Sequence, residues 1–296
     1  MSAERRPVDA RGVAVMVLLC LIWGFGHVAA KFAGQGISLV FQSGVRSLVA
    51  TALLVAWARG RGEPLFGRDG TLGPGLLAGV LFAAEFVFLF AGLAHTDAAR
   101  MVVFIYLTPC ITAFGLHFLI PQERLDARQW AGVLVAFAGV ALAFGDGFAS
   151  GRGTLLGDFF GLVGAVFWAL TTILIRATKL AAVSATKTLF YQLAVSGPLL
   201  LAASWAMGEP GVVALTAPVA LAFAYQCIVV AFASYLAWFW LLRQYLAARL
   251  SVFSFLTPLF GVAAGVLVLG EPLTPSFAGA ALLVGAGILL VNLKRR

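Results

Sequence analysis

The sequence predicts an all-α protein that crosses a membrane ten times, with the helices arranged as two inverted repeats of five. Three observations support this fold class. Hydrophobic residues make up 62% of the 296-residue chain and charged residues 11%, a balance that a soluble protein cannot bury. Ten apolar runs approach the length of about 20 residues that a membrane-spanning helix needs. Finally, several short motifs occur once in each half of the chain.

The ten apolar runs are separated by short segments rich in Gly, Pro and charged residues, which favour turns. They extend over Val13–Phe32, Leu39–Trp57, Leu72–Leu93, Ala98–Ile120, Trp130–Phe144, Leu155–Ile175, Thr188–Met207, Ala214–Leu242, Leu250–Leu269 and Phe277–Leu293. The first run follows several arginines and has the pattern of a signal peptide. A similar run, Leu155–Ile175, lies inside the chain, so we expect the first run to be retained as a span.

The clearest repeated motif is Leu-Thr-Pro. It occurs at Leu107-Thr108-Pro109 and again 149 residues later at Leu256-Thr257-Pro258. The other shared landmarks are Ala98-Ala99-Arg100 with Ala247-Ala248-Arg249, Glu123-Arg124-Leu125 with Glu271-Pro272-Leu273, and Trp23 and Lys31 with Trp168 and Arg176. Repetition over half of the chain indicates duplication. We therefore predict two domains, residues 1–145 and 146–296.

Five spans in each copy have a geometric consequence. Because five is an odd number, the second copy begins on the opposite side of the membrane, and the repeats are inverted. Inverted repeats enclose a substrate site near the middle of the membrane in many secondary transporters.

The basic residues predict the orientation of the chain. Sixteen of the 20 Lys and Arg residues fall on one side of this arrangement, three (Lys31, Arg100 and Arg152) fall on the other, and Arg46 lies within a run. Cytoplasmic segments carry an excess of Lys and Arg. We therefore expect both termini in the cytoplasm, and we attribute the net charge of +8 to this bias rather than to nucleic-acid binding.

Signatures of catalysis and of cofactor binding are absent from the sequence. No Gly-Lys pair is present, so no P-loop can hold ATP. The three histidines are scattered, and Cys20, Cys110 and Cys227 lie in apolar runs without metal-ligand spacing. We expect no cofactor, no metal and no enzymatic activity, with an intramembrane enzyme as the alternative.

Two ionisable residues, Arg46 and Glu85, lie well inside apolar runs. A charge near the centre of a bilayer is costly and marks a candidate functional site. One interpretation places the pair beside a transport pathway, with Arg46 binding a substrate carboxylate. The other interpretation is a structural ion pair between two helices. His27, one turn after Trp23, either lines the cavity or bonds to a neighbouring backbone group.

Tyr and Trp residues form a second set of candidates, because they lie inside the runs rather than at the membrane interfaces, where they are usually enriched. They are Trp23, Tyr106, Trp168, Tyr191, Tyr235 and Trp238. We expect them either to line a central cavity for amphipathic or aromatic solutes or to pack helices together. We interpret Gln42 and Gln192 as matching positions in the two copies and predict that they lie near Trp23 and Trp168 in this cavity.

Pro109 and Pro258 interrupt two of the runs. Each proline removes a backbone donor and can bend a helix, so we predict either a mobile hinge for gating or a static bend. Gly261 and Gly265 form a GxxxG motif, which predicts close helix packing within a monomer, with a homodimer as the alternative.

The same residues carry a resemblance to a known family. The segment from Leu21 to Lys31, with Trp23-Gly24 and Lys31, resembles the opening of the drug/metabolite transporter superfamily in its ten-helix form with two EamA-type repeats. Gly157-Asp158 with Trp168 and Arg176 resembles the opening of the second repeat. The two Leu-Thr-Pro segments with a following Glu are similar to the fourth and ninth spans of that family.

The resemblance implies export of small metabolites from the bacterial cytoplasm by alternating access, without ATP, in the inner membrane. The chain length, the aromatic-rich spans and Arg46 are similar to those of the YddG-type exporters of aromatic and other apolar amino acids. Another solute, such as a purine, a drug-like cation or a sugar derivative, is the alternative substrate.

Overall fold

A computed structural model describes residues 5–96, 98–145, 148, 154–269 and 276–293. Ten helical segments, numbered here as spans 1 to 10, account for most of these residues. They extend over Ala10–Ala33, Leu39–Gly60, Leu72–Leu93, Arg100–Leu119, Ala127–Phe144, Leu155–Ala177, Ala185–Ala206, Ala217–Gln244, Ala247–Val268 and Ser276–Asn292. Spans 1 to 9 are long and apolar enough to cross a membrane, and span 10 is shorter. The predicted all-α, multi-pass membrane fold is confirmed.

Polar caps explain why several spans begin before their apolar runs. The carboxylate of Asp126 accepts a hydrogen bond from the backbone N–H of Gln129 (2.9 Å), and the Gln129 side chain accepts one from the backbone N–H of Asp126 (3.0 Å). This capping box starts span 5 at Ala127, three residues before the predicted run. Asp9 and Ser184 likewise cap spans 1 and 7. Because hydropathy ignores polar first turns, the predicted runs began too late.

Both ends of the described chain lie at one face of the helix bundle. Arg128, at the start of span 5, donates to the carbonyl oxygen of Leu293 after span 10 (2.6 Å). Arg5, before span 1, donates to the carbonyl oxygens of Leu242 in span 8 (3.1 Å) and Ala181 after span 6 (2.8 Å). We call this side the terminal face and the opposite side the distal face.

The packing of the spans has the same pattern in the two halves. Span 1 packs on spans 8 and 9, and span 6 packs on spans 3 and 4. Span 2 packs on span 7, and span 5 on span 10. Exchanging each span with the one five places away reproduces these pairs.

Small residues allow the closest of these helix contacts. A Cβ atom on Gly132 of span 5 would lie 2.7 Å from the carbonyl oxygen of Gly287 in span 10. A Cβ atom on Gly24 of span 1 would lie 2.8 Å from the backbone nitrogen of Gly261 in span 9. Glycines that the sequence predicted to be packing positions therefore join spans of the same chain.

Both Leu-Thr-Pro motifs lie where a helix restarts after an irregular turn. Span 4 consists of the helices Ala98–Ile105 and Thr108–Leu119. Span 9 passes through the 3₁₀ segment Val252–Phe255 before the helix Leu256–Leu269. A proline in the first turn of a helix loses no intrahelical bond, because that turn has no partner for its N–H groups.

Span 8 contains a π-helix, Gln226–Ser234, between the α-helices Ala217–Tyr225 and Tyr235–Gln244. The corresponding span of the first half, span 3, is a continuous α-helix. π-Helices are rare and often occur at functional sites. The two halves therefore differ in backbone geometry at this span.

Candidate functional site

Arg46 is buried in span 2 with an incomplete set of hydrogen bonds. The residue is 8% exposed, and its Nη1 donates to Oε1 of Gln226 in span 8 (3.3 Å). Its guanidinium carbon lies 4.9 Å from the ring centre of Phe86, which is close enough for a cation–π contact. Nε and Nη2 have no hydrogen-bond partner. The guanidinium is therefore held in place while two of its nitrogens remain available to an acceptor.

Glu85 of span 3, next to Phe86, is 7% exposed, and its Oε2 has no partner. Arg46 and Glu85 are close enough to interact electrostatically, but within the described chain they form no ion pair at 4.0 Å or less. The structure therefore does not show the structural ion pair that was one interpretation of these residues.

The π-helix of span 8 is bonded to span 1 through side chains at its two ends. Nε2 of Gln226 donates to the carbonyl oxygen of Gly26 (2.5 Å). Nε1 of Trp23 donates to the hydroxyl oxygen of Ser234 (2.8 Å). Gln226 therefore connects Arg46 to span 1, and Ser234 fixes the orientation of a predicted site residue.

Sequence reasoning missed Gln226 and Ser234, because each is a single neutral polar residue in an apolar run. The length of that run, Ala214–Leu242, was the available signal. It exceeds the roughly 20 residues that a span needs, and extra length in one span allows an irregular helix.

The predicted aromatic residues belong to one core cluster, but Tyr191 lies apart at the terminal face, where its hydroxyl oxygen is 3.3 Å from that of Thr71. Trp23 packs edge-on against Trp238 with ring centres 5.9 Å apart. Tyr106 packs edge-on against Trp168 at 6.0 Å. Tyr235 contacts Phe82 at 6.0 Å and is close enough to Arg46 and Glu85 to interact with them electrostatically. The structure thus places Tyr235 near the buried charges, and it places Trp23 and Trp168 in different pairs.

Gln42 and Gln192 do not occupy matching positions. Spans 2 and 7 each have 22 residues and begin 146 residues apart, so the counterpart of Gln192 is Arg46. The two spans are antiparallel, because Gly44 faces Leu201 and Gly197 faces Leu48. In this register the two glutamines lie about 16 Å apart along the helix axes, at 1.5 Å per residue. The predicted matching was wrong because it used an offset of 150 residues, close to that of the Leu-Thr-Pro motifs, whereas spans 2 and 7 are offset by 146.

His27 and the two prolines lie at the edge of this region. His27 is exposed on span 1, beside Gly261 of span 9. Pro109 and Pro258 are buried. The hydroxyl of Thr108 donates to the carbonyl oxygen of Ile105 (2.7 Å), whereas the hydroxyl of Thr257 has no partner. The gating roles of the prolines stay predictions.

A second buried charge cluster lies at the terminal face. Glu123 is 1% exposed and forms an ion pair with Arg176, whose Nε donates to Oε1 (2.9 Å). The backbone N–H groups of Ala247 and Ala248, at the start of span 9, donate to the same carboxylate (both 3.0 Å). Glu123 thus joins the first half of the chain to the second. Its counterpart, Glu271, lies outside the described residues.

Another ion pair at this face joins a loop to span 7. Nζ of Lys187 lies 2.6 Å from Oδ2 of Asp69, which precedes span 3. The hydrogen bonds from Lys187 and Thr71 hold the pKa of the Asp69 carboxyl well below its ordinary value.

The unpartnered donors of Arg46 can bind an acceptor. Within the described chain, no three His, Cys, Asp or Glu side chains are grouped to hold a metal ion. The unpartnered atoms of Arg46 and Glu85 are buried. Two apolar depressions, of about 280 and 290 Å³, are lined by Phe25 and by Phe66 with their neighbours and do not include these residues.

Comparisons with known proteins identify the family. The model of the EamA-like transporter family matches residues 10–145 and again 155–293. A Bacillus subtilis protein described as "Uncharacterized transporter YvbV" is 26% identical over 97% of this chain and 93% of its own length. An Escherichia coli protein described as "Probable amino-acid metabolite efflux pump" is 24% identical over 90% of each chain.

A solved structure supports the same fold. The structure, titled "Crystal structure of protein", covers 95% of this chain and 97% of its own with a TM-score of 0.79 at 19% identity. The apolar spans and the shared fold agree with the family match, which extends over both halves of the chain. The chain belongs to the EamA-like transporter family and is a multi-pass membrane transporter.

Proposed function

We propose that this transporter exports small metabolites that carry a carboxylate, above all aromatic and other apolar amino acids. It works by alternating access around Arg46, without a cofactor and without ATP. The printed name of the Escherichia coli relative concerns amino-acid metabolite efflux and supports this substrate class. The finer assignment to aromatic amino acids rests on the residues around Arg46.

The observation that carries the proposal is the state of the Arg46 guanidinium. Its two unpartnered nitrogens are buried, and a buried donor without an acceptor is unfavourable. A carboxylate accepts two parallel hydrogen bonds from a guanidinium, which matches this need in charge and shape. The nearby rings of Phe86, Trp23 and Tyr235 offer apolar surface to an aromatic or aliphatic side chain.

The proposed location is the bacterial inner membrane, with the terminal face in the cytoplasm. The distribution of Lys and Arg supports this orientation, because sixteen of the 20 basic residues fall on the side of the termini. Reporter fusions to the C-terminus test it directly. Activity of a reporter that works only in the periplasm would reverse the orientation.

The substrate is tested by counterflow in liposomes that contain only the purified protein. Vesicles loaded with unlabelled phenylalanine should accumulate labelled phenylalanine, and competition should be strong for tyrosine and leucine. Phenethylamine, which has the same ring without the carboxylate, should compete poorly. Analysis of the recovered solute by mass spectrometry checks that it crosses unchanged, as expected of a transporter rather than an enzyme.

A matched pair of variants assigns the result to Arg46. Arg46→Gln should reduce counterflow by about ten- to a hundredfold, whereas Arg59→Gln, at an exposed arginine near the end of the same span, should retain it. Purines, a cationic dye and a sugar derivative complete the panel. If one of these is transported and amino acids are not, the proposed substrate class is wrong. Full phenylalanine counterflow in Arg46→Gln would remove Arg46 from the binding site.

A further inference from the structure

Two turns in the molecule have the same sequence and the same backbone geometry. Gly62-Glu63-Pro64 follows span 2, and Gly208-Glu209-Pro210 follows span 7, 146 residues later. The glycines have φ angles of +63° and +70°, in the left-handed region that favours glycine. In both turns the N–H of the glutamate donates to the carbonyl oxygen five residues earlier, at 2.9 and 3.0 Å. The turns are therefore equivalent parts of the two halves.

The carboxylates of the two turns have different partners. Glu209 reaches across the distal face to the start of span 2, where Oε1 accepts from the N–H of Val40 (3.1 Å) and Oε2 from the N–H of Phe41 (2.8 Å). Glu63 at the terminal face makes no such contact. Its Oε2 is buried without a hydrogen-bond partner, and its Oε1 lies 3.8 Å from Nε of Arg61. Glu209 therefore caps a helix of the other half, whereas the equivalent carboxylate of Glu63 does not.

The backbone around the two turns differs in the same way. At the distal face, the N–H of Val213 donates to the carbonyl oxygen of Gly36 (2.8 Å), and Ile37 forms a β-bridge with Val212. The equivalent residues at the terminal face, all within the described chain, form no such bonds. These backbone bonds therefore join the two halves at the distal face and are not formed at the terminal face.

The serines that precede spans 2 and 7 also differ. Ser184 caps its own helix, because its hydroxyl oxygen accepts from the N–H of Lys187 (3.1 Å). Ser38, 146 residues earlier, does not cap its helix, and its hydroxyl donates to the carbonyl oxygen of Gly211 (3.2 Å). Span 2 is capped by Glu209 instead. Each helix start therefore uses either its own serine or the glutamate of the other half.

We propose that Glu63 and Glu209 are alternating latches of the transport cycle. In the second conformation, Glu209 leaves span 2 and Ser38 caps that helix in its place. Glu63 then accepts from the N–H groups of Thr186 and Lys187, the counterparts of Val40 and Phe41. In a transporter with inverted repeats, each half can adopt the conformation of the other, because the two halves contain equivalent elements.

The exchange conserves the number of helix caps. One serine cap and one glutamate cap are present before and after it, and the hydrogen bond from the Ser204 hydroxyl to Oε2 of Glu209 (2.7 Å), which has no counterpart at Ala58, favours the conformation described here. A small difference in energy lets a bound solute shift the populations. The ion pair between Asp69 and Lys187 (2.6 Å) holds the loop that follows Glu63 beside the start of span 7.

Disulfide cross-linking measures the two latches separately. The pair Ile37→Cys/Val212→Cys reports the distal latch, since these residues form the β-bridge. The pair Val183→Cys/Phe66→Cys, at the equivalent positions, reports the terminal latch. Both pairs are introduced after Cys20, Cys110 and Cys227 are replaced by alanine. Cross-linking rates are measured on the full chain in liposomes without solute, so an error in the proposed substrate class does not affect the result.

Glu209→Gln should slow distal cross-linking and accelerate terminal cross-linking, which changes the ratio of the two rates about tenfold, the effect of losing one charge-assisted hydrogen bond. Glu63→Gln should have the opposite effect on the ratio. Arg59→Gln should leave it unchanged. If Glu209→Gln slows distal cross-linking without accelerating the terminal pair, Glu209 is only a static cap and the proposal is wrong.

A second variant keeps the test valid if Glu209→Gln does not fold. Ser184→Ala removes the intrinsic cap of span 7 and leaves Glu63 as the remaining side chain that can cap it. Terminal cross-linking should therefore accelerate several-fold, while Ser38→Ala should slow it by disfavouring release of Glu209. Equal ratios in the two serine variants would overturn the exchange.

Discussion

Two buried arginines, Arg176 and Arg46, differ in how fully their surroundings satisfy them. Arg176 uses Nε and Nη2 to bind Glu123, which is also bonded by two backbone N–H groups, and only its Nη1 has no partner. Arg46 uses one nitrogen at 3.3 Å and leaves two without a partner. Both side chains are almost fully buried.

The difference separates a structural charge from a binding charge. A buried ion pair with nearly complete hydrogen bonds fixes the elements that it joins, and removing one partner leaves an uncompensated charge. A buried guanidinium with unpartnered donors contributes little to holding the structure together. A ligand can accept the hydrogen bonds that these donors do not form within the protein. We therefore expect changes at the terminal face to affect stability and changes near Arg46 to affect transport.

The largest expected effect is on stability, from Glu123→Gln. The substitution keeps the size of the side chain but leaves Arg176 without a counter-charge, which should cost about 3–5 kcal/mol of folding free energy. Thermal unfolding in detergent measures the loss. The neighbouring exposed residue provides the control, since Gln122→Ala should change stability little. A loss below about 1 kcal/mol would contradict a structural role for this pair.

The second prediction concerns Arg46. Arg46→Gln should reduce phenylalanine counterflow by about ten- to a hundredfold, the effect of losing charge-assisted hydrogen bonds of about 1.5–3 kcal/mol to the solute. Folded protein should still be recovered in the membrane. The double variant Arg46→Gln/Glu85→Gln should remain inactive. Recovery of full transport there would mean that Arg46 only balances Glu85.

A smaller effect is expected where span 1 meets the π-helix. Trp23→Phe retains a ring but removes the hydrogen bond to Ser234, which should cost about 1 kcal/mol of stability. In a double-mutant cycle with Ser234→Ala, the loss in the double variant should be about 1 kcal/mol smaller than the sum of the two single losses, because both substitutions remove the bond between Trp23 and Ser234. Trp205→Phe, at a residue that is 84% exposed, serves as the control. Additive losses would show that the bond contributes nothing.

The two Leu-Thr-Pro threonines should respond in opposite directions. Thr108→Val removes a made hydrogen bond and should cost about 1 kcal/mol, whereas Thr257→Val removes a buried hydroxyl without a partner and should be neutral or stabilising. Unfolding midpoints of the two variants, measured side by side, provide the comparison. Equal losses would mean that the halves are equivalent at this motif.

The smallest effect is a dependence of stability on pH. The pKa of Asp69 is lower in the folded protein than its ordinary value of 3.8, because Lys187 and Thr71 bond to the ionised form. The stabilisation is therefore complete above that value and is lost as the pH falls, since the unfolded chain binds the proton first. Asp69→Asn should flatten the acid limb of the unfolding midpoint plotted against pH. An unchanged slope would exclude this contribution.

Hydropathy predicted the spans because membrane crossing depends on the length and polarity of a segment, which a single sequence contains. The same sequence could identify Arg46 as a candidate, since a charge within an apolar run is costly. It could not identify Gln226 as the partner of Arg46, because that contact depends on how spans 2 and 8 pack. The error over Gln42 has a similar origin, since the offset that applies to spans 2 and 7 becomes clear only when their ends are known.

The π-helix of span 8 has a consequence for how the two halves diverged after duplication. The offset between equivalent residues is 146 at Glu63 and Glu209 but 149 at Ala98 and Ala247. The second half therefore gained three residues, or the first half lost three, across the interval that contains span 8. Span 8 has 28 residues and span 3 has 22. An insertion or deletion inside a packed helix rotates all later side chains about the helix axis, unless a wider turn accommodates the change in length. The π-helix provides that wider turn. Within the described residues, span 8 therefore has a π-helix where span 3 has none, and that π-helix carries the Gln226 that bonds to Arg46.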